Sequence, residues 1–334
     1  MEVIHAHNAQ EALGKGLLLL KNNGMGQDSR NGWVIRAEGP VATVYSSPLE
    51  RVVSWPARDA NPFFHMYEAL WMLAGRNDIA GPARYAKNML NYSDDGVTQH
   101  DAYGHRWFYH FNKNQINVII NQLKQNPLDR QCVLQMWDVT QDLGRKGKAI
   151  PCNLMATFQV DPVWNKLDLV VFCRSNDIIW GTYGANAVHF GFLLEYVSLK
   201  TNIAAGKYTQ VSVNYHAYEK EYEKCLPIIN EQYRDYPHRV IMMPVDVDRH
   251  ISQVLNCADK ELYVHRAPDR HFFRCDDEWG EMCHRMMWAH QMHRQGHYDA
   301  AFEVLDFAPK CDWTVAGQEW LYRRKKRREA GANE

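Results

Sequence analysis

The sequence predicts an α/β fold with a helical C-terminal extension. Segments with helical periodicity alternate with short apolar segments typical of strands as far as about residue 260. From Leu262 to Arg328 the pattern is mostly helical. No internal repeat and no Ser- or Pro-rich linker divides the chain. We therefore predict a main domain over residues 1–260 and a helical extension with a basic end over residues 261–334.

Four segments carry helix signals, because their apolar residues recur at helical spacing. The first ends at an Asn-Asn-Gly stop, and the second is strongly apolar and ends at Gly75. The four predicted helices are 9–21, 63–75, 114–125 and 186–201.

Short apolar segments between these helices predict strands. The near-continuous apolar run 167–174 predicts a strand that is buried on both faces. The polar, Gly-rich stretch 21–33 predicts a loop, and residues 76–104 predict an irregular region with short helices. The predicted strands lie within 33–46, 131–137, 154–160, 167–174 and 208–215.

Composition narrows the class of protein. Apolar residues make up 46% and charged residues 23% of the 334 residues, which excludes disordered and collagen-like chains. The 38 basic and 39 acidic residues nearly cancel, so we expect no nucleic-acid partner. No apolar run predicts a membrane span, and the N-terminus carries no secretory signal pattern. The eight cysteines form no Cys-x-x-Cys pair, so we expect reduced thiols in a cytoplasmic protein.

The sharpest chemical feature is Cys152 in the segment Ile150-Pro151-Cys152-Asn153, which opens a predicted strand. The preceding loop, 144–149, is rich in Gly and Lys. Positive charge near a thiol favours its ionised form, so Cys152 is a candidate nucleophile held partly as thiolate. A small buried core cysteine is the alternative interpretation.

A second feature is the segment Arg174-Ser175-Asn176-Asp177 at the end of the apolar strand. An Arg beside a Ser can hold a phosphate or carboxylate group. The turn that contains Gly181 then leads into the helix at Asn186, where a planar ligand could approach backbone amides. A surface Arg–Asp pair followed by an ordinary turn is the alternative.

Two weaker features involve a strand and a helix. His216 and Tyr218 alternate on one face of a predicted strand, so both could contact one hydroxylated ligand. Taken alone, this pattern is more typical of a core histidine. Glu68 lies inside an apolar helix, where a carboxylate is costly unless it is bonded or functional, and it could relay protons. A partly exposed helix residue is its alternative interpretation.

Other patterns exclude chemistries. His290 and His293 lack a third ligand at suitable spacing, so we predict no zinc site. The basic run 323–328 is typical of a solvated helix end. The chain contains neither a Gly-x-Gly-x-x-Gly fingerprint nor a P-loop.

Taken in chain order, these segments resemble the thymidylate synthase family over about residues 24–218. The resemblance implies a mixed β-sheet flanked by helices. The matching segments are 28–32 (the mobile phosphate-binding arginine loop), 68–75 (the helix with the catalytic glutamate), 102–107 (the Tyr-Gly…Trp segment), 127–130 (an arginine segment that reaches the neighbouring subunit), Pro151-Cys152 (the nucleophile), 174–186 (phosphate, folate and pyrimidine elements) and 214–218 (the ribose segment).

The resemblance also implies a reaction. The Cys152 thiolate would add to C6 of a pyrimidine nucleoside monophosphate, with 5,10-methylenetetrahydrofolate as the one-carbon donor. Residues 1–260 would form the catalytic domain, and the protein would be a homodimer with composite sites. The implied catalytic residues are Cys152, Glu68, Tyr103 and Asp177; the nucleotide-binding residues are Arg30, Arg130, Arg174, Ser175, Asn186, His216 and Tyr218; the folate-binding residues are Asp177 and Gly181.

Departures from the family pattern favour hydroxymethylation over methylation. Asn153 follows the nucleophile where synthases usually have His, and Met89 and Tyr92 stand where synthases carry Trp. Synthases end in a short apolar tail that closes over the folate, whereas this sequence ends in the basic run 323–328 and a polar segment. A less closed site admits water more easily. Gln131 replaces a second arginine and weakens the expected phosphate clamp.

The implied substrate is dUMP, because Asn186 falls at the position that reads uracil if one residue is inserted before it. Without that insertion, Ala185 would occupy the position. Hydroxymethylation of dCMP or CMP and synthesis of dTMP remain alternatives. A cysteine hydrolase that uses Cys152 with His216, and a nucleic-acid-binding protein that uses its basic tail, are two further hypotheses from other classes.

Overall fold

The computed structural model describes residues 1–231, 239–263 and 275–331. The strands are β1 (Glu2–Ala6), β2 (Met25–Ser29), β3 (Gly32–Arg36), β4 (Val41–Tyr45), β5 (Val133–Gln135), β6 (Asn153–Asp161), β7 (Lys166–Asp177) and β8 (Ala204–Tyr218). They form one mixed sheet in the order β1-β4-β8-β7-β6-β5, and the ribbon of β2 and β3 joins it at β8. β1 is parallel to β4 and β7 is parallel to β8, whereas the other pairs are antiparallel.

Helices cover one face of this sheet. The helices are α1 (Ala9–Asn23), α2 (Pro62–Leu73), α3 (Ala80–Ala83), α4 (Tyr103–His105), α5 (Gln115–Gln125), α6 (Val139–Asp142), α7 (Asn186–Thr201), α8 (Glu219–Cys225), α9 (Val247–Asp259), α10 (Glu278–Arg294), α11 (Tyr298–Asp306) and α12 (Asp312–Glu329). Helix α7 packs on β7 and β8, α2 packs on α7, and α10 and α12 pack on α2. The predicted α/β fold and its four N-terminal and central helices are confirmed.

The central helix α2 is buried on nearly every side. The Asn61 side chain caps its N-terminus by accepting from the Phe64 backbone N at 3.1 Å, and Pro62 occupies its first turn. Gly75 follows its end with a φ of +68°, a conformation that glycine adopts without strain. This local chemistry explains why the apolar segment forms a helix that ends where the sequence predicts.

Strand β7 corrects one prediction. Leu167, Leu169 and Val171 point into the core and are fully buried, but Phe172 on the opposite face is 37% exposed. Helix α7 covers only one face of the sheet within the chain, so the prediction that both faces of this strand are buried is wrong. Within the described part of the chain, the second face of this strand stays partly exposed.

The stretch 24–32 corrects another prediction, because it forms most of a hairpin rather than a loop. β2 pairs with β3 over five residues, and Arg30 and Asn31 form the turn. Gly32 has a φ of +118°, which suits glycine at the end of this turn. Every residue of β2 is exposed, so the hairpin carries none of the apolar alternation by which strands are recognised.

The region predicted as a helical extension does contain helices, and they pack against the core of the main domain. The Phe63 ring of α2 lies 5.5 Å from Trp320, and Phe192 of α7 lies 5.8 Å from Trp313. Part of the predicted extension, residues 264–274, lies outside the described residues. The proposed domain boundary at residue 260 stays a prediction.

The basic run at the end of α12 binds the main domain. Asp59, a residue with a φ of +51°, receives Arg323 at 3.1 Å, Arg324 at 3.0 Å and Arg327 at 2.9 Å. The Asp59 side chain is only 8% exposed. These arginines therefore fasten the helix to the core and are not simply a solvated end. Among the described residues, no helix combines the length and apolar character that crossing a membrane requires.

Candidate active site

A cavity of about 680 Å³ opens beside the C-terminal ends of β7 and β8, a volume suited to small-molecule ligands. It brings together seven of the predicted site residues, which come from the β2–β3 hairpin and from β6, β7 and β8. These seven are Arg30, Cys152, Arg174, Ser175, Asp177, His216 and Tyr218. The structure therefore unites positions that are nearly 190 residues apart along the chain.

Tyr103 fixes the backbone at the candidate nucleophile. Its Oη accepts hydrogen bonds from the backbone N of Cys152 at 2.9 Å and of Asn153 at 3.1 Å. The ladder between β6 and β7 is irregular between Asn153 and Met155, directly after this point. Cys152 is thus held at the distorted start of a strand, where bulges commonly redirect a functional side chain.

Arg174 supports the same segment from the neighbouring strand. Its Nε donates to the Pro151 carbonyl at 2.8 Å, and its Nη2 donates to the Ile150 carbonyl at 3.1 Å. Burial raises the pKa of the Cys152 thiol, and the Arg174 and Arg30 guanidinium groups only oppose this rise. Desolvation thus outweighs the field of these guanidinium groups, which runs against the prediction that nearby cations hold Cys152 partly as thiolate.

Asp177 ends β7 and faces the cavity. Its Oδ1 accepts from the Ile179 backbone N at 2.8 Å. Burial raises the pKa of Asp177 to about 6, while Arg58 acts in the opposite direction. The carboxyl group can therefore exchange a proton near neutral pH, a property found at many functional sites.

Arg58 is a site residue that the sequence did not reveal. It is 2% exposed, and its Nε donates to the Ile179 carbonyl at 2.8 Å. Its guanidinium lies 4.5 Å from the ring centroid of Trp180, which lines the cavity. Its Nη1 and Nη2 have no hydrogen-bond partner within the described parts of the chain. An arginine in an unremarkable polar stretch gives no signal by which this arrangement could be found.

Glu68 lies in α2, 5% exposed, and does not line the cavity. His189 of α7 approaches it, with Nε2 2.9 Å from Glu68 Oε2. This contact lacks the angle of a hydrogen bond, since both atoms are without a hydrogen-bond partner among the described residues. The alternative interpretation of Glu68, a partly exposed helix residue, is excluded, and a buried carboxylate beside a histidine remains.

Asn186 begins α7 and is 7% exposed. Its Oδ1 accepts from Asn153 Nδ2 at 3.2 Å, so the amide lies next to the residue that follows the nucleophile. The choice of Asn186 over Ala185 as the residue that reads a base stays a prediction. Gly181 belongs to the preceding turn, where a Cβ atom would lie 2.3 Å from Asn176 Oδ1. Neither Asn186 nor Gly181 lines the cavity directly.

His216 and Tyr218 share one face of β8, and their ring centroids are 5.6 Å apart. His216 Nδ1 lies 3.0 Å from Asn214 Oδ1, and Asn31 of the hairpin donates to Tyr218 Oη at 3.4 Å. The only hydrogen bond recorded for Cys152 Sγ in the described structure goes to the Ile150 carbonyl at 3.9 Å. The structure therefore offers no support for a Cys–His hydrolase pair.

Arg130 lies apart from the cavity. It is exposed on the loop between α5 and β5 and does not line the cavity of its own chain. Two other cations line it instead, Arg145 and Lys148. The Asp94 carboxylate accepts hydrogen bonds from both residues, from Arg145 Nη2 at 2.9 Å and from the Lys148 backbone N at 2.9 Å. The Gly- and Lys-rich composition of their loop was a signal that could have identified them.

One group of side chains in the described residues has metal-ligand chemistry, Asp246, His250 and Asp277. His250 Nε2 lies 2.6 Å from Asp277 Oδ2, and Arg249 donates to Asp246 at 2.7 Å. None of these residues lines the cavity. The arginine already compensates the Asp246 carboxylate, so the group is explained as an ion-pair cluster.

Comparisons with known proteins agree with this geometry. The family model described as Thymidylate synthase matches residues 58–262. The deoxyuridylate hydroxymethyltransferase of Pseudomonas phage M6 is 44% identical, and the alignment covers 99% of this chain and 96% of that protein. The protein of the same name from Bacillus phage SP01 is 27% identical, with 85% and 84% covered.

Solved structures show the same fold. The crystal structure of thymidylate synthase from T4 phage superposes with a TM-score of 0.56 and covers 73% of this chain and 91% of that one. Its sequence is 19% identical, so this likeness concerns the fold alone. The predicted mixed sheet flanked by helices is confirmed.

Proposed function

The chain belongs to the thymidylate synthase family, and we propose that it is a deoxyuridylate hydroxymethyltransferase that converts dUMP to 5-hydroxymethyl-dUMP. The observation that carries this proposal is the 44% identity, over nearly the full length of both proteins, to a phage protein of that name. The cavity that unites Cys152 with Arg174 and Asp177 is the place for the reaction. Because the similar hydroxymethyltransferases come from phages, we propose that the enzyme works in the cytoplasm of a phage host.

Arg30, Arg174 and Ser175 are proposed to bind the nucleotide phosphate, since they supply two guanidinium groups and a hydroxyl to one cavity. His216 and Tyr218 on β8 are proposed to contact the sugar hydroxyl. These contacts would place the pyrimidine above Cys152. In this arrangement the thiol of Cys152 faces the bound pyrimidine and is not paired with a histidine.

Cys152 is the proposed nucleophile. Its thiol gives its proton to solvent and the sulfur forms a bond to C6 of uracil, while the C5–C6 electron pair moves toward C5 and O4. Burial raises the pKa of the Cys152 thiol, so its ionisation costs free energy. The positive charge of Arg174 acts in the opposite direction and favours the thiolate. Tyr103 keeps the backbone at Cys152 in place during this step.

The cavity also fits the expected one-carbon donor, 5,10-methylenetetrahydrofolate. Trp180 is 52% exposed at the cavity wall and offers a face for a flat heteroaromatic ring. Beneath it, two buried nitrogens of Arg58 have no hydrogen-bond partner among the residues that the structure describes, and Asp177 can accept or donate a hydrogen bond because burial raises its pKa to about 6. When bound, the folate supplies a methylene group at the oxidation level of formaldehyde. We propose that Asp177 and Gly181 contribute to its site and that Glu68 moves protons through water.

Water, not hydride, is proposed to complete the reaction. Tyr92 lines the cavity and is 47% exposed, and Met89 is buried beside it, where the family resemblance would place Trp. The polar Asn153 follows the nucleophile. A polar, less enclosed site gives water access to the exocyclic methylene carbon at C5. Water adds to that carbon as the bond between Cys152 and C6 breaks, which frees the thiol and leaves a hydroxymethyl group.

We propose a homodimer in which Arg130 reaches the phosphate of the neighbouring subunit. The open face of the sheet carries Val133, Val170, Phe172 and Val213, and three of these are between 37% and 57% exposed. An apolar sheet face of this kind is typical of an interface. Sedimentation should show a dimer, and Arg130→Ala should raise the KM for dUMP while leaving the dimer intact. An active monomer would contradict the proposal.

The decisive assay incubates the full chain with the one-carbon donor and dUMP, dCMP or CMP in separate reactions. Mass spectrometry of the nucleotide should show dUMP gaining one CH₂O unit, with tetrahydrofolate as the second product. Cys152→Ala is the matched control and should give no product while still binding dUMP. A product that gains only CH₂, with dihydrofolate, would identify a thymidylate synthase, and turnover of dCMP or CMP alone would overturn the choice of base.

A further inference from the structure

Four buried polar side chains form a chain of hydrogen bonds that begins beside the nucleophile. Asn153 Nδ2 donates to Asn186 Oδ1 at 3.2 Å, and Asn186 Nδ2 donates to Asn176 Oδ1 at 3.2 Å. Asn176 Nδ2 then donates to Ser212 Oγ at 3.1 Å. Each of the four is less than 9% exposed. We call this set the amide relay.

A single asparagine cannot by itself distinguish uracil from cytosine. Uracil presents an acceptor, O4, next to a donor, N3–H, whereas cytosine presents a donor, N4–H₂, next to an acceptor, N3. An amide offers one carbonyl acceptor and one NH₂ donor of nearly equal shape, so a rotation of half a turn exchanges the two. The amide of Asn186 would therefore fit either base unless its orientation is fixed.

We propose that Asn153 and Asn176 are positioning residues that lock the Asn186 amide in the orientation that reads uracil. An amide oxygen accepts two hydrogen bonds and an NH₂ group donates two. The relay uses one acceptor site and one hydrogen of Asn186. One acceptor and one donor remain for the base, and their positions are determined by the neighbours. The inference rests on the proposed function, since it assumes that Asn186 faces the pyrimidine.

The ends of the relay favour this direction. If the amides were reversed, Asn153 Oδ1 would accept from Asn186, and both hydrogens of the buried Asn153 NH₂ group would be unpaired. In the structure, Oδ1 is the only side-chain polar atom of Asn153 without a partner among the described residues. Unpaired buried donors are rarer in proteins than unpaired carbonyl oxygens. Gly181 leaves the space that Asn176 needs, because a Cβ atom there would lie 2.3 Å from Asn176 Oδ1.

Two isosteric substitutions test the direction of the relay. An aspartate at position 153 can only accept when ionised, so Asn153→Asp should turn Asn186 and favour cytosine. An aspartate at position 176 also only accepts, but it accepts from the same Asn186 Nδ2, so Asn176→Asp should keep the uracil orientation. Both changes place one carboxyl group in the same buried relay, so each controls for the charge and folding effects of the other.

The readout is the ratio of kcat/KM for dUMP to that for dCMP, measured at pH ~8, well above the ordinary pKa of aspartate. We expect Asn153→Asp to lower this ratio by about tenfold or more and Asn176→Asp to change it by less than about threefold. Asn153→Ala removes the hydrogen bond to Asn186 without adding charge. It should lower the ratio, because the kcat/KM values for dUMP and dCMP become more alike. Equilibrium binding of both nucleotides without folate should follow the same order.

An unchanged ratio in Asn153→Asp and Asn153→Ala would overturn the inference, as would an equal fall in Asn153→Asp and Asn176→Asp. If Asn153→Asp does not fold, Asn153→Ala decides alone. Failure of the proposed function is recognised separately, because the wild-type chain would then form no 5-hydroxymethyl-dUMP. A wild-type enzyme that prefers dUMP, with variants that keep this preference, would refute only the relay.

Discussion

Replacing Tyr103 by Phe removes a single oxygen atom and tests how the nucleophile is positioned. Tyr103 Oη accepts two backbone hydrogen bonds, from Cys152 N at 2.9 Å and from Asn153 N at 3.1 Å. Tyr103→Phe leaves both donors without this acceptor, whereas the ring keeps its packing near Phe190, 6.4 Å between centroids. A hydrogen bond contributes about 0.5–1.5 kcal/mol, so the two together hold the segment with about 1–3 kcal/mol.

If this energy positions the thiol for attack on C6, its loss lowers kcat/KM for dUMP by roughly 5- to 140-fold, since 1.4 kcal/mol corresponds to about a factor of ten. The Kd for dUMP should change little, because the phosphate contacts do not involve Tyr103. Steady-state kinetics and the rate of the covalent Cys152 adduct measure the effect. Tyr109→Phe, at a tyrosine that is 57% exposed, is the control and should leave kcat/KM unchanged. A Tyr103→Phe enzyme within about twofold of wild type would refute the reasoning.

Three further predictions concern pH, thiol reactivity and stability. Because the pKa of Asp177 is raised to about 6, the folded protein keeps a proton that the unfolded chain has lost, so the free energy of unfolding should fall as pH rises from about 4 to 6. Asp177→Asn should flatten this fall in denaturant titrations, and an unaltered slope would contradict it. Arg174→Gln should raise the pKa of Cys152 further and slow its alkylation by iodoacetamide, whereas an unchanged rate would exclude the assigned role of the guanidinium. Asp59→Asn should lower the free energy of unfolding by about 1–3 kcal/mol, because its carboxylate is 8% exposed and pairs with three arginines. Asp299→Asn, at a carboxylate that is 92% exposed, should shift the unfolding midpoint very little, and equal effects of the two changes would refute this account.

The sequence predicted those elements whose burial shows in their pattern. Helix α7 runs from Asn186 to Thr201 as expected, because its apolar residues pack on β8 and Asn202 adopts the left-handed conformation that ends it. The β2–β3 hairpin was missed, because exposed residues form it and no apolar period marks it. The open face of β7 was also missed. A run of apolar residues does not reveal whether its second face meets the same chain or a neighbouring subunit.

The site could be predicted where motifs lie at strand ends. Cys152, Arg174 and His216 line one cavity because β6, β7 and β8 are adjacent in the sheet. Arg58 was beyond prediction, since its approach to Trp180 depends on how the loop before α2 packs. The rise in the pKa of Cys152 was beyond prediction, because sequence shows nearby cations but does not show desolvation.

Heavy-oxygen water tests the central claim most directly. If water completes the reaction at the carbon attached to C5 of dUMP, the new hydroxyl oxygen must come from solvent. Single-turnover incubation of the full chain with dUMP and methylenetetrahydrofolate in H₂¹⁸O, followed by mass spectrometry, should give 5-hydroxymethyl-dUMP that carries one ¹⁸O atom. A product that gains only CH₂ and contains no ¹⁸O would contradict the account.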